Sequence, residues 1–143
     1  MDIPVEVLII ESRHPAREIV MLAFARKGSD VHVYTTDKEE DAVAVLSQRT
    51  LPCVVLIGDV EPPLRDKLLR HIKQASGPLR RVPVVCWVRS VAEVQSTYDL
   101  GGNSCLAMPE DPERLADMMT DIAQYWIRYN IFYNQDAQRG DSA

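Results

Sequence analysis

Short apolar runs and helix-spaced apolar stripes alternate along this chain. Val5-Glu6-Val7-Leu8-Ile9-Ile10 turns wholly apolar towards its end, as a parallel strand buried on both faces does. After the polar Glu11-Ser12-Arg13-His14, Pro15 stands at a first helical position, where its missing N–H is harmless. Ile19, Leu22, Ala23 and Phe24 form the buried stripe of that helix, and Gly28 ends it. Asp30 to Thr35 alternates like a strand near a sheet edge, and Thr36-Asp37-Lys38-Glu39 has the capping-box spacing for a second helix. Leu51 to Ile57 is a third strand that stops at Gly58-Asp59. Leu64, Leu68, Leu69 and Ile72 mark a third helix, broken at Gly77-Pro78. Val82 to Val88 is a fourth strand. Ser90-Val91-Ala92-Glu93 is a second capping box, opening a helix with Val94 and Tyr98 inward and Gly101-Gly102 as its stop. Ser104 to Ala107 is a short fifth strand. Asp111 caps and Pro112 starts a last helix, with Leu115, Met118, Met119, Ile122, Trp126 and Tyr129 at helical spacing.

Five β-α units in succession predict a doubly wound, five-stranded parallel α/β sheet of the flavodoxin type, strand order 2-1-3-4-5. In such sheets chemistry sits beyond the carboxyl ends of the central strands, here at Gly58 and Asp59. The 143 residues make one domain, residues 1–133, followed by a polar tail, residues 134–143. A net charge of −5 argues against nucleic acid and anionic lipid as partners. No run reaches the ~18 apolar residues of a membrane span, and the first residues lack the pattern of a signal peptide. Cys53, Cys86 and Cys105 lie inside apolar runs without C-x-x-C spacing, which favours buried free thiols in the reducing cytoplasm over a zinc site. His14 stands beside Glu11 but serves helix entry and solvent contact. His32 and His71 have no sequence neighbour to make a site, and there is no glycine-rich phosphate loop.

Several landmarks recur in a known order: the strand end Leu8-Ile9-Ile10-Glu11, Pro52 six residues before Gly58, Val82-Pro83-Val84-Val85, and Leu100-Gly101-Gly102-Asn103 followed by Met108-Pro109. Over roughly residues 5–130 the chain resembles the receiver domain of two-component response regulators, the CheY-like fold. Arg80-Arg81-Val82-Pro83-Val84-Val85 and Tyr125-Trp126-Ile127 are most similar to the single-domain regulators that partner bacterial phytochromes. The resemblance implies phosphoryl transfer to an aspartate with Mg²⁺ as cofactor, aided by a lysine and a hydroxyl that neutralise charge on the phosphoryl group. Carried over position by position, it also predicts loss of that chemistry. The acidic pair falls on Glu11 and Ser12, the acceptor on Gly58, the hydroxyl on Val88, the lysine on Met108 and the switch aromatic on Cys105. The expectation is a pseudo-receiver: no enzyme, no cofactor, a cytoplasmic module acting through contacts with itself and with a signalling protein such as a sensor kinase. The alternative is a divergent receiver in which a slip of one residue brings Asp59 into the site as acceptor, with Glu11 and Mg²⁺. The resemblance also implies a cis Met108–Pro109 bond.

The last helix ends in Tyr125-Trp126-Ile127-Arg128-Tyr129-Asn130-Ile131-Phe132-Tyr133, apolar on every side. One stripe covers a sheet, so part of this segment is left for an interface. Tyr125, Trp126, Tyr129, Ile131 and Phe132 are the candidate contacts of a homodimer, an arrangement that the phytochrome-partner resemblance also implies.

Overall fold

The computed structural model describes residues 5–28 and 30–130. It contains β1 (Val5–Ile10), α1 (His14–Ala25), β2 (Val31–Thr36), α2 (Glu39–Leu46), β3 (Val54–Ile57), α3 (Pro62–Lys73), a 3₁₀ turn (Pro78–Arg81), β4 (Val84–Val88), α4 (Val91–Asp99), β5 (Ser104–Ala107), α5 (Pro112–Gln124) and a π-helical turn (Tyr125–Tyr129). The sheet is parallel with order β2-β1-β3-β4-β5, the predicted doubly wound arrangement. Strand alternation divides the core in two. Val7, Ile9, Val54, Leu56, Val85 and Trp87 face Phe24 of α1 and Met119 of α5. Leu8, Ile10, Val55, Ile57, Val84 and Cys86 face Ala42 of α2 and Leu69 of α3. The register sets Ile10 beside Ile57, and Ile57 beside Cys86, so the carboxyl ends of the three central strands open on one edge of the sheet.

Several local expectations are corrected. Leu22 is 43% exposed, and Val20 fills the α1 stripe instead. Tyr98 is 50% exposed and Thr97, one position earlier, is buried. The Thr36–Glu39 capping box does not form: Lys38 is the N-cap residue without a side-chain cap, and Thr36 Oγ1 accepts from Lys38 N at 3.0 Å. The Ser90 cap does form, with Ser90 Oγ accepting from Glu93 N at 3.2 Å, while the Glu93 carboxylate reaches back one residue further than a capping box requires and accepts from Arg89 N. Asp111 caps α5, accepting from Glu113 N at 3.2 Å. Gly101 stops α4 at φ +96°, a conformation that costs glycine nothing. The Met108–Pro109 bond is trans, since no peptide bond among the described residues is cis. Trans is the ordinary preference of an X–Pro bond when nothing selects the other isomer.

Candidate functional site

β1 and β3 are neighbours, and Gly58 N continues their ladder by donating to Ile10 O at 2.7 Å. Glu11 and Gly58 therefore leave the sheet side by side. A Cβ on residue 58 would overlap Glu11 Oε2 and stand 2.8 Å from Glu11 Cδ. The missing side chain at position 58 is thus what gives the Glu11 carboxylate its place. That carboxylate is only 1% exposed. A buried carboxylate needs partners, and it has them: it accepts from Asp59 N, from Arg13 N at 3.3 Å and from Arg13 Nε at 3.2 Å.

Strand alternation alone would turn Asp59 away from this group. Instead the chain bends at once after β3, with Val60 N donating to Gly58 O at 3.0 Å, a tight turn of the i→i+2 kind. Asp59 Oδ2 then meets two guanidinium groups, Arg13 Nε at 3.1 Å and Arg89 Nη2 at 2.6 Å. Ser12 Oγ donates to the Asp59 carbonyl oxygen. Arg13 Nη2 reaches the sulfur of Met108, at the end of β5. The structure thus joins Glu11, Asp59 and Met108 through Arg13, with Ser12 attached by its bond to the Asp59 backbone. Val88 makes no ion pair or side-chain hydrogen bond with this group: its side chain is mostly buried in the core and reaches the site only as apolar lining. Arg65 of α3, also buried, pairs with Glu93 at 3.5 Å and Asp66 at 3.4 Å and ties α3 to the first turn of α4.

Sequence reasoning missed Arg13, Arg65 and Arg89. A signal was available for two of them: Arg13 and Arg89 stand in the loops just after the carboxyl ends of β1 and β4, where chemistry sits in sheets of this kind. A cleft of about 510 Å³ opens in front of them, between Arg13, Val88, Arg89, Met108, Pro109 and Glu110. The donor set does not fit Mg²⁺. That ion wants near-octahedral oxygen ligands and keeps several waters, whereas Glu11 and Asp59 both face guanidinium groups and Gly58 brings no ligand. No group of three His, Cys, Asp or Glu side chains suited to a metal occurs among the described residues. His14 pairs with Glu18, at 3.8 Å on the surface of α1. Cys53 and Cys86 are buried, which pushes both thiols up to about 12, and half-buried Cys105 is also raised, chiefly by burial.

The second candidate region is the end of α5. Trp126 packs against the core and Tyr125 stands edge-on to it, ring centroids 5.1 Å apart at 86°. Tyr125 is 51% exposed. Tyr129, expected to cover the sheet from its helical spacing, is 66% exposed instead. The π-helical turn accounts for this, because it breaks the 3.6-residue period before Tyr129. A groove of about 470 Å³ runs between the β5 edge and α5, lined by Leu106, Asp121, Ile122, Tyr125 and Trp126 among others. Ile131 and Phe132 lie outside the described residues. No helix among the described residues is long and apolar enough to cross a membrane.

No protein-family model and no curated protein sequence matches the chain. Solved structures do match, response regulators among them. The phosphorylated cyanobacterial phytochrome response regulator RcpA is similar at a TM-score of 0.79 and 19% identity, over 90% of this chain and 97% of its own. The Mn²⁺-bound form of response regulator Rcp1 is similar at 0.79 and 21%, over 91% and 99%. Response regulator RPA3017, in red light signalling of R. palustris, follows at 0.73 and 17%, over 90% and 98%. At these identities the likeness establishes the fold, which is that of response-regulator receiver domains.

Proposed function

We propose that this chain is a receiver-fold signalling module of the two-component type that works by protein–protein contact, without aspartyl phosphorylation, catalysis or a bound metal. One observation carries the reading: the Glu11 carboxylate fills the space over Gly58 where an acceptor side chain would have to stand. RcpA is phosphorylated and Rcp1 binds Mn²⁺. Here the corresponding strand ends carry an internal ion network. Its output is then its surface. Exposed Tyr125 and Tyr129 support a homodimer through the α5 side, and a sensor kinase is the class of second partner that the fold favours. Light scattering with and without acetyl phosphate and Mg²⁺ tests this: the same dimer mass is expected in both, and a monomer, or a mass that responds to acetyl phosphate, contradicts it.

The alternative reading makes Asp59 the acceptor, with Glu11 and Mg²⁺. It is favoured by the Asp59 carboxylate facing Arg13 and Arg89 rather than away from the site. The same two ion pairs oppose it, because both guanidinium groups hold one oxygen of that carboxylate, Oδ2, and draw off its negative charge.

A further inference from the structure

We infer that Arg13 is a built-in cation, a covalently tethered substitute for a divalent ion that holds the strand ends in one state. This rests on the reading that the site does not accept phosphate, and it names what keeps the site closed. Arg13 Nε lies 3.2 Å from Glu11 Oε1 and 3.1 Å from Asp59 Oδ2, the carboxylates of the two residues that flank Gly58 at the strand ends. Its Nη2 extends to the Met108 sulfur. One guanidinium therefore spans from the end of β1 to the end of β5.

Local forces do not explain why the group is there. Arg13 is the N-cap residue of α1 and makes no capping bond with its side chain. The positive end of a helix dipole disfavours a cation at that place, so it is the two carboxylates that hold the guanidinium. Glu11, 1% exposed, depends on it in turn, because without Arg13 it would be a buried charge short of a partner. A tethered cation acts at high effective concentration. A free ion has to displace it from both carboxylates at once. Arg89 differs: its side chain is 64% exposed and, among the described residues, pairs with Asp59 alone.

Mn²⁺ titration of the full chain, followed by electron paramagnetic resonance of the free ion, tests this. The unmodified protein is expected to show no saturable site at sub-millimolar Mn²⁺. Arg13→Ala and the bulkier Arg13→Gln should bind Mn²⁺ at least about tenfold more tightly than it does, and adding Glu11→Gln should abolish the gain. Arg13→Lys, which keeps the charge, and Arg89→Ala, which keeps Arg13, should behave like the parent. Circular dichroism establishes that each variant is folded. If both neutral variants unfold, Mn²⁺ must restore the fold. Equal binding by parent and neutral variants, no gain in a folded neutral variant, or no restoration by Mn²⁺ would each overturn the inference. A phosphoryl adduct on the unmodified chain would sink the underlying reading instead. Failure with Mn²⁺ and no adduct sinks only the role of Arg13.

Discussion

Gly58→Ala adds a single methyl group at a point where the Glu11 carboxylate already stands. The new Cβ would overlap Oε2, lie 2.8 Å from Glu11 Cδ and 3.3 Å from the Ile10 carbonyl oxygen. The backbone carbonyl is fixed by the β1–β3 ladder, so Glu11 has to yield. It then loses the hydrogen bond from Asp59 N and strains those from Arg13. A hydrogen bond to a charged group is worth about 1.5–3 kcal/mol, and overpacking a well-filled site costs typically about 1–3 kcal/mol. Gly58 has an ordinary backbone conformation, so the reduced freedom of the unfolded chain returns only about 0.4–1 kcal/mol. The net loss is about 2–5 kcal/mol, a fall in melting temperature of roughly 5–15 °C for a chain of this size. The overlap vanishes when the glutamate is shortened. In a Glu11→Ala background Gly58→Ala should therefore cost close to nothing, and a double-mutant cycle by urea denaturation should give a coupling of about 2–4 kcal/mol. A Gly58→Ala protein within about 0.5 kcal/mol of the parent, or additive single effects within the same margin, would refute the claim that Gly58 exists to make room for Glu11.

Three further outcomes follow from the burial pattern. Burial raises the Cys53 and Cys86 thiols from 9.0 to about 12, so the folded state keeps protons that the unfolded chain releases; the stability this contributes is whole below 9.0 and is lost as pH rises towards 12. The urea midpoint should hold level up to about pH 9 and fall above it, and iodoacetamide at neutral pH should label Cys53 and Cys86 only after unfolding; labelling of the native chain at those thiols would contradict their burial. Tyr125→Ala combined with Tyr129→Ala should shift the sedimenting species from dimer to monomer while leaving the far-UV circular dichroism of the folded chain unchanged, because both side chains are more than half exposed; a dimer indifferent to the change would move the interface elsewhere.

The fold was legible because each element announces itself locally. Val54–Ile57 and Val84–Val88 are unbroken apolar runs, as strands covered on both faces must be, and Asp111-Pro112 caps and starts α5 as its chemistry requires. Misplaced side chains were those whose facing depends on a small rotation. Leu22 and Tyr98 lie on stripe margins, and Tyr129 follows a π-helical turn that no propensity marks. The site was half legible. Residue types at Gly58, Val88 and Met108 gave the expectation of lost phosphoryl transfer. The ion pairs between Arg13, Asp59 and Arg89 were hidden, because they join segments far apart in sequence and depend on a turn directly after β3. Position counting gave Gly58 the central place and left Asp59 outside; the turn brings Asp59 in, towards two arginines.

The most direct measurement is the intact mass of the purified chain after incubation with acetyl phosphate and Mg²⁺, before and after hydroxylamine. With Glu11 over Gly58 and Asp59 held by Arg13 and Arg89, the mass should stay that of the unmodified chain in both samples. A gain of one phosphoryl group, removed by hydroxylamine and abolished by Asp59→Asn, would contradict this and make Asp59 the acceptor of a working receiver.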